Sequence, residues 1–431
     1  MRNDFEQPAG ARERTERQSD HDLLRAWGQH QHAGVSRVPY GLSLNTNGQA
    51  YITIDGGGTG VIESTQNGTT MPQQVGAALG INALRCTGCT IEYLTVRDMY
   101  VHASDTDTAA SNVYGMEFSG SNVTIQDDTF HDDDWALISD WNNADANARI
   151  FGNDLYNNDH GFASTSGFSG GGIGPVFFYA NHIHDYANWD TTTDRYHHDG
   201  IHCYTYGGGG PAHYTAFYIY DNIFDGQVGT NMTSHIFIEG GSGSGSTPCA
   251  DSSSPIYIFN NVLSAGQDIN NGLLEPTSGQ PHILNNTLIG HDTHNGVCYT
   301  SNSDATQEVF ENNLVSTCGT LMYNNVPSIY SSGSPNYNLY ADSGSNAFLC
   351  GSTLDALSAF ALWKSCIRAD SHSSEAVNLA LSNDGSPQPG SPAIGTEANL
   401  TGLCIGALAP LCSNIYGMSR PVSGPWNAGA F

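Results

Sequence analysis

The segments FNNVL at 259–263, LNNTL at 284–288 and ENNLV at 311–315 repeat one short pattern, in which amide side chains precede apolar residues. Related copies are QDDTF at 126–130, GNDLY at 152–156, ANHIH at 180–184 and YDNIF at 220–224. The polar residues that mark the copies are Asp128, Asp154, His182, Asn222, Asn261, Asn286 and Asn313. Successive markers are 25 to 40 residues apart, and recurrence at this spacing is typical of stacked structural repeats.

Strand-like runs flank the markers. FYIY at 217–220 and IYIF at 256–259 precede a marker, whereas GIHCY at 200–204 and HIFIE at 235–239 follow one. Helical periodicity is absent from these units. Two or three short strands in about 25 residues fit one coil of a parallel β-helix, which buries a core only by stacking on its neighbours. The sequence therefore predicts an all-β solenoid of parallel strands.

The markers themselves have a structural interpretation. Asn and Asp at a turn bond the backbone and tolerate the left-handed conformation, and in register they bond one another from coil to coil. We expect Asp154, Asn222, Asn261, Asn286 and Asn313 to stack at one turn, with His182 in the same ladder. We expect one continuous core to include Val123, Ile125, Ile219, Ile223, Ile258, Val262, Ile283 and Leu288.

Changes of pattern divide the chain into three parts. Residues 1–45 are rich in arginine and hold the apolar group Leu23, Leu24 and Trp27, which predicts an N-terminal arm and a short capping helix. Residues 46–345 form the predicted β-helix. In residues 346–431 the helical period of LDALSAFALWKSC at 354–366 predicts a C-terminal cap.

Charge and cysteine content limit the partners and the compartment. The 431 residues carry a formal charge of −29, which disfavours nucleic acid and anionic membrane surfaces. No apolar run is long enough for a transmembrane helix, and no signal peptide is visible at the N-terminus. Ten cysteines nevertheless favour an oxidising compartment. We therefore expect a secreted monomer. Either its true start was removed or misassigned, or it is exported by another route, such as release of a phage-borne protein by lysis.

Three cysteine pairs stand out by their positions. We expect Cys404 and Cys412 to be bonded, because few residues separate them and a bond would staple the terminal cap. Cys298 and Cys318 fall in neighbouring repeats and could be cross-linked. Cys86 and Cys89 form a CxxC without a thioredoxin-like pattern around it, which favours a structural pair.

Acidic and imidazole residues concentrate in three successive repeats, just before the second strand-like run. They are Asp133, Asp134, Asp159, His160, His198 and Asp199. Coils stack about 4.8 Å apart, so these side chains should form one patch, with His202 and Glu239 facing outward beside it. A long loop on the same coil carries Trp189, Asp190, Asp194, Arg195 and Tyr196. Aromatic faces beside carboxylates are what a sugar-binding groove needs.

Several chemistries could use this patch. Glycoside hydrolysis needs an acid and a carboxylate about 5 to 10 Å apart, which Asp134, Asp159 and Asp199 could supply with His198. β-Elimination would use Arg195 as base and Ca²⁺ held by Asp133, Asp159 and Asp199. Substrate contacts would come from Asp133, His160, His202, Glu239, Trp189 and Tyr196. A transition metal on His197, His198, Asp199 and His202 matches no zinc spacing, and plain polar turns are a further interpretation.

A family resemblance supports the carbohydrate interpretation. Residues 50–345 resemble the pectin-lyase-like right-handed parallel β-helix superfamily, and GSPAIG at 390–395 with WNAGAF at 426–431 resembles the ending of secreted bacterial β-helix proteins. HHDGIH at 197–202 is similar to the NTDGID motif of polygalacturonase-type hydrolases, which implies a catalytic role for Asp199.

Two further segments carry the resemblance. DDDWALI, with Asp133 and Asp134, resembles that family's Asp pair, and Asp159-His160-Gly161 resembles its Gly-His-Gly. The order of the motifs is reversed here, and the Arg-Ile-Lys motif is absent.

We therefore expect a right-handed β-helix that degrades a polysaccharide, first of all as a glycoside hydrolase. The alternatives are a Ca²⁺-dependent lyase acting on a uronic-acid polymer and a non-catalytic glycan-binding or tailspike-like module.

Overall fold

Strands recur in a fixed order along the chain: one before each polar marker, one after it, and one beyond the next turn. We call these three sets the first, second and third faces. Within each face, a strand pairs in parallel with its counterpart one coil later. The computed structural model thus confirms an all-β fold of parallel β-helix type. It describes residues 23–25, 29–32, 41–64, 78–102, 113–140, 147–165, 172–190, 197–205, 210–241, 247–269, 271–302, 304–324, 326–343 and 346–431.

The strands of the three faces are short. The first face consists of Thr124–Gln126, Ala148–Phe151, Val176–Tyr179, Phe217–Tyr220, Pro255–Phe259, Gln280–Leu284 and Val309–Glu311. The second face consists of Thr129–Asp133, Asp154–Tyr156, His182–His184, Ile223–Asp225, Val262–Ser264, Thr287–Ile289, Leu314–Ser316, Leu339–Ala341 and Ser374–Ala376. The third face consists of Gly41–Asn45, Ala78–Ala83, Tyr114–Phe118, Trp135–Asp140, His160–Thr165, Asp199–Tyr204, Ser234–Ile238, Leu274–Pro276, Val297–Ser301, Thr320–Asn324, Phe348–Cys350 and the antiparallel Thr353–Asp355.

The ends of the solenoid differ from its middle. Two long strands, Thr53–Ser64 and Thr90–Tyr100, run through both the first and second faces. Leu23–Arg25 and Gln29–His32 pair in parallel with Thr53–Ser64. The predicted N-terminal helix is therefore wrong in these stretches, because the edge strand offers unpaired backbone groups that a further strand satisfies. The sheets begin before residue 46.

A few elements lie outside the three faces. Gly172–Ile173 and His213–Tyr214 form a small parallel pair, and the α-helix Phe360–Ile367 follows the last coils. The 3₁₀ turns are Ala187–Trp189, Pro327–Ile329, Leu357–Ala359, Thr401–Leu403 and Gly406–Cys412. The helical period at 354–366 is confirmed from Leu357 onward, whereas Leu354 and Asp355 belong to a strand. Phe360, Trp363 and Ile367 of the α-helix pack on the end of the core. None of the described helices is long and apolar enough to cross a membrane.

An amide ladder joins the coils at the turn between the first and second faces. Its members are Asp128, Asn153, Asn181, Asn222, Asn261, Asn286, Asn313 and Asn338. Each Asn side chain donates from Nδ2 to the Oδ1 of the next, at 3.1 Å or less. The assignments of Asp154 and His182 to this ladder were wrong by one residue, since both already belong to second-face strands.

Most of the residues predicted to fill the core are buried in it. Val123, Ile125, Ile219, Ile258, Ile283 and Leu288 are fully buried in one cluster. Ile223 and Val262 are exceptions. They follow the ladder residue directly, so strand alternation turns them outward, and Phe224 and Leu263 fill the core instead. Val262 packs under Ala430 and Phe431 of the C-terminal segment.

The last part of the chain folds back along the outside of the solenoid. Phe259 and Leu284, on the outer side of the first face, are covered by Leu411 and Trp426. Leu314 of the second face packs in the same way in a cluster with Ala393 and Ala428. The segment after the α-helix is thus more than an end cap, because it buries outward-facing apolar strand residues.

All ten cysteines are paired. The bonds are Cys86–Cys89, Cys203–Cys249, Cys298–Cys318, Cys350–Cys366 and Cys404–Cys412. The pairing predicted for Cys404 with Cys412 is confirmed, and so is the cross-link between the repeats that hold Cys298 and Cys318. Five disulfides fit a protein of an oxidising compartment.

Candidate functional site

The acidic and imidazole residues come together at the start of adjacent third-face strands. Trp135 lies in register with His160, His160 with Asp199, and Asp199 with Ser234. The backbone N–H of Asp199 donates to the carbonyl of Asp159 at 3.1 Å. Coil stacking therefore brings together residues that are about 25 to 40 positions apart in sequence, as the sequence predicted.

Three side chains form the centre of the cluster. His160 Nε2 is 3.1 Å from His202 Nδ1 and 3.5 Å from Asp199 Oδ2. His202 Nδ1 is 3.7 Å from the same carboxylate oxygen. Asp199 Oδ1 accepts the backbone N–H of Ser234, whereas Oδ2 is buried without a hydrogen-bond partner among the described residues. The free oxygen thus faces both imidazoles.

Carboxylates and aromatic rings surround these three residues. His160 Nδ1 is 2.9 Å from Asp159 Oδ2, which also accepts a 3.3 Å hydrogen bond from the Trp135 indole. His202 Nε2 is 3.5 Å from Glu239 Oε2. The Trp135 ring lies 4.6 Å from the His160 ring. The Phe237 ring stacks on His202 at 5.1 Å. These contacts fix both imidazole planes.

Burial dominates the electrostatics of the cluster. Burial lowers the pKa of His160 and His202, because a charged imidazole would lose its hydration. Burial raises the pKa of Asp199 well above its usual value, against the hydrogen bond from Ser234. Burial also acts to raise the pKa of Asp159, but the charge and hydrogen bond of His160 outweigh it and the pKa is lowered. The pKa values of Asp199 and Asp159 are thus shifted in opposite directions.

The predicted solvent-open groove is wrong for most of its residues. Asp134, Asp159, His160, His198 and Asp199 are each at most 5 % exposed. They lie at the first residues of the third-face strands or at the turns just before them, where neighbouring coils cover the side chains. Asp134 lies at the turn before its strand with a φ of 67°, and burial and the charge of Asp159 raise its pKa well above the usual value. These carboxyls form a layer behind the surface.

Two predicted members lie apart from the central cluster. Asp133 accepts the backbone N–H of Met99 at 3.2 Å, so it joins coils at a turn. Among the described residues, Asp133 is not brought into one ligand group with Asp159 and Asp199, the set expected to hold calcium. His198 Nε2 instead contacts the carbonyl of Val228 at 2.9 Å and Asp190 at 3.2 Å. Its buried contacts hold a loop in place.

The structure describes only some of the loop residues that the sequence predicts to bind sugar. Trp189 is fully buried, stacks on His102 at 4.7 Å and donates to the carbonyl of Asn157. It offers no exposed face, which corrects the prediction. Arg195 and Tyr196 lie outside the described residues, so their assignments as base and substrate contact stay predictions.

The residue that sequence reasoning missed is Glu275. It faces outward on the third face, in register with Phe237, and lies one coil beyond Glu239. Burial and the negative charge of Glu239 raise the pKa of Glu275 to about 8. The alternation of inward and outward residues could have identified Glu275. LLEP at 273–276 aligns with SHIFI at 234–238, and this register places Glu275 beside the outward-facing Phe237.

A second acidic pair lies at the other end of the patch. Glu117 is on an adjacent third-face strand, and burial and the charge of Asp140 raise the pKa of Glu117. The two pairs flank the histidine cluster. Either pair could in principle supply an acid and a base.

The sequence matches no known protein-family model and no curated protein. The resemblance to pectin-lyase-like proteins therefore stays a prediction from the repeat and the motifs.

Proposed function

We propose that this protein is a secreted glycoside hydrolase that binds a polysaccharide along the third face. In this proposal Glu275 is the general acid and Glu239 the partner carboxylate. The observation that carries the proposal is that Glu275 and Glu239 lie on neighbouring coils of this face, where burial and the charge of Glu239 raise the pKa of Glu275 to about 8.

The separation of the two groups suits glycosidic cleavage. Glu239 follows the strand Ser234–Ile238, and Glu275 lies in the strand paired with it, where Ile238 is opposite Pro276. Paired strands are about 4.8 Å apart. Glu239 follows Ile238 and so falls opposite Thr277, two residues from Glu275. An offset of one coil and two residues is about 8 Å, within the range of about 5 to 10 Å that glycosidases use. The Glu239 side chain is 27 % exposed, so it is within reach of a polymer.

The proposed reaction uses one carboxyl group in its protonated form and the other in its ionised form. The Glu275 carboxylic acid would donate its proton to the glycosidic oxygen as the bond to the anomeric carbon breaks. Glu239 would either attack the anomeric carbon or take a proton from the attacking water. His202, 3.5 Å from Glu239, would orient that carboxylate. In this proposal Asp159 and Asp199 contact the imidazoles of His160 and His202 and do not contact the sugar.

The surroundings favour a glycan of low negative charge. Tyr204 and Phe237 are partly exposed beside His202, and Tyr323 on the third face is 37 % exposed. Such rings offer stacking surfaces for sugars. The formal charge of −29 would repel a polyuronate. The disulfides support secretion, because they persist in oxidising compartments.

A substrate panel tests the reaction class. Neutral and acidic polysaccharides are incubated with the protein, with and without EDTA, and products are followed by reducing ends and by ultraviolet absorbance. Hydrolysis gives new reducing ends without absorbance from a new double bond. Absorbance from such a bond would identify the lyase instead, and no products on any substrate would favour a binding module.

Matched substitutions test the residues. Glu275→Gln should lower kcat by roughly 10²-fold or more, since loss of an acid catalyst has effects of this size. Glu239→Gln should do the same. Glu375→Gln, on an exposed glutamate of the second face, is the control and should leave activity unchanged. Loss of activity in Glu117→Gln, with full activity in Glu275→Gln, would contradict this assignment.

A further inference from the structure

The central cluster contains three convergent atoms of the kind that bind transition metals. They are His160 Nε2, His202 Nδ1 and Asp199 Oδ2, separated by 3.1, 3.5 and 3.7 Å. Including His197, the candidate ligand atoms all lie within 4.8 Å of one another. Imidazole nitrogens with one carboxylate are ligands that Zn²⁺ and related divalent ions accept.

The spacing of these atoms fits one face of a tetrahedron. Bonds of about 2.0–2.2 Å from Zn²⁺ to nitrogen and oxygen place the ligand atoms of a tetrahedral site about 3.3–3.5 Å apart. The three observed separations bracket this range. An ion at the centre of the cluster would therefore need only small side-chain movements.

The outer contact of His160 directs a lone pair inward. His160 Nδ1 is 2.9 Å from Asp159 Oδ2, and His202 Nε2 is 3.5 Å from Glu239 Oε2. A carboxylate accepts a hydrogen bond from the N–H that faces it, so Nε2 of a neutral His160 ring carries a lone pair. Carboxylate–histidine pairs of this kind orient metal-binding imidazoles.

The buried oxygen of Asp199 is the independent observation. The residue is 0 % exposed, and its Oδ2 has no hydrogen-bond partner among the described residues. A buried carboxylate oxygen without a donor is costly. Two imidazole nitrogens and this oxygen face one another, an arrangement that a cation would satisfy by taking the place of the hydrogen shared between the two nitrogens.

We propose that His160, Asp199 and His202 bind one Zn²⁺ ion or a similar divalent transition ion. The exposed His197, whose ring centre is 5.6 Å from both the His160 and His202 rings, lies at the open side of the site. It either provides a fourth ligand or borders an exchangeable water. The inference does not depend on glycoside hydrolysis, since metal binding is measured without any sugar.

The first measurement is metal content and affinity of the full chain. The protein is treated with a chelator, dialysed and titrated with ZnCl₂ by calorimetry, and its retained metal is measured by mass spectrometry. One Zn²⁺ per chain is expected. His160→Ala and His202→Ala should each weaken binding by about 100-fold or more. Asp199→Asn, which preserves shape, should do likewise even if a histidine variant folds poorly.

A positioning residue gives a sharper test. Asp159→Asn should weaken binding by about 10- to 100-fold, the usual effect of removing a hydrogen-bond partner of a metal ligand. With Co²⁺ as probe it should also change the visible absorption spectrum, whereas a merely structural role would not. The comparison variant is His182→Ala, because Asp154, His182 and His184 form a second candidate ligand group, on the second face.

Two results would overturn the proposal. One is a protein that binds no Zn²⁺ above the level of a buffer blank while circular dichroism shows it folded. The other is binding that is equally tight in the wild type and in Asp199→Asn. Equal weakening by His182→Ala would point to binding on the second face instead.

Discussion

At the scale of single residues, the two asparagines of each pair have different roles, one inside the coil and one outside it. The second Asn of each pair stacks in the ladder. The first has a left-handed φ of 54° in Asn260, 51° in Asn285 and 60° in Asn312, a conformation that Asn tolerates well. Its side chain points outward and donates to the C-terminal segment, as Asn260 Nδ2 does to the carbonyl of Ser413 at 2.9 Å.

His184 should make stability depend on pH. Although burial acts to lower it, hydrogen bonds to Asp154 and Asp185 raise the pKa of His184 to about 9, above the unfolded value of 6.5. The folded state therefore binds the proton more tightly. This stabilisation is fully present below pH 6.5 and is lost as pH rises through 9.

The variant His184→Gln tests this residue. It should be less stable than the wild type by roughly 1.5–3 kcal/mol at pH 6, the usual contribution of a hydrogen bond to a charged group. The difference should close by about pH 10. Urea unfolding at several pH values measures it, with His294→Gln, at an 84 % exposed side chain, as the control. A difference that does not change with pH would refute the prediction.

At the scale of elements, the turn between the first and second faces is the feature that fixes the register of the coils. Asn222 shows the pattern. Its Nδ2 donates to Asn261 and to the carbonyl of Phe178, and its Oδ1 accepts from the backbone and side chain of Asn181. One side chain thus satisfies the polar groups of three coils, which lets the turn be buried.

The substitution Asn222→Ala should be strongly destabilising. It leaves buried partners unsatisfied on both sides, each at a cost of about 1–3 kcal/mol, so we expect a total loss of several kcal/mol. Thermal unfolding followed by circular dichroism is the measurement. Asn271→Ala, at an exposed residue, should change stability by less than about 0.5 kcal/mol. Equal effects of the two substitutions would show that the ladder contributes little.

At the scale of the whole molecule, the C-terminal segment completes the solenoid from outside. Arg420 is 7 % exposed and donates to Asn260, Gly429 and Phe431, while its guanidinium lies 5.3 Å from the Trp426 ring. Burial lowers the pKa of Arg420 to about 10 against the opposing charge of Asp221. This segment is therefore docked by charge and amide contacts as well as by apolar burial.

Removing the Trp426 ring tests the docking. Trp426 is fully buried against the first face, so Trp426→Ala should lower the free energy of unfolding by about 3–5 kcal/mol. Val422→Ala is the control, since Val422 is 82 % exposed, and it should have almost no effect. Unfolding temperatures measured by calorimetry distinguish the two variants. A stable Trp426→Ala protein would mean that the segment is a loosely held tail.

The fold could be predicted from the sequence because each coil repeats the same local sequence pattern. Amide residues at turns and alternating apolar residues are short-range signals, and stacking multiplies them. Local pattern does not resolve a shift of one residue. Asn153 and Asp154 adjoin in GNDLY, and only the coil register shows that Asn153 stacks in the ladder and that Ile223 turns outward.

The candidate site shows what the sequence could and could not determine. Sequence spacing was enough to bring Asp159, His160, Asp199 and His202 into one patch, because parallel coils place matching positions side by side. Whether each carboxyl reaches solvent, and that Glu275 is the partner of Glu239, were decided by strand pairing and burial. Those depend on contacts between distant segments, which no local pattern encodes.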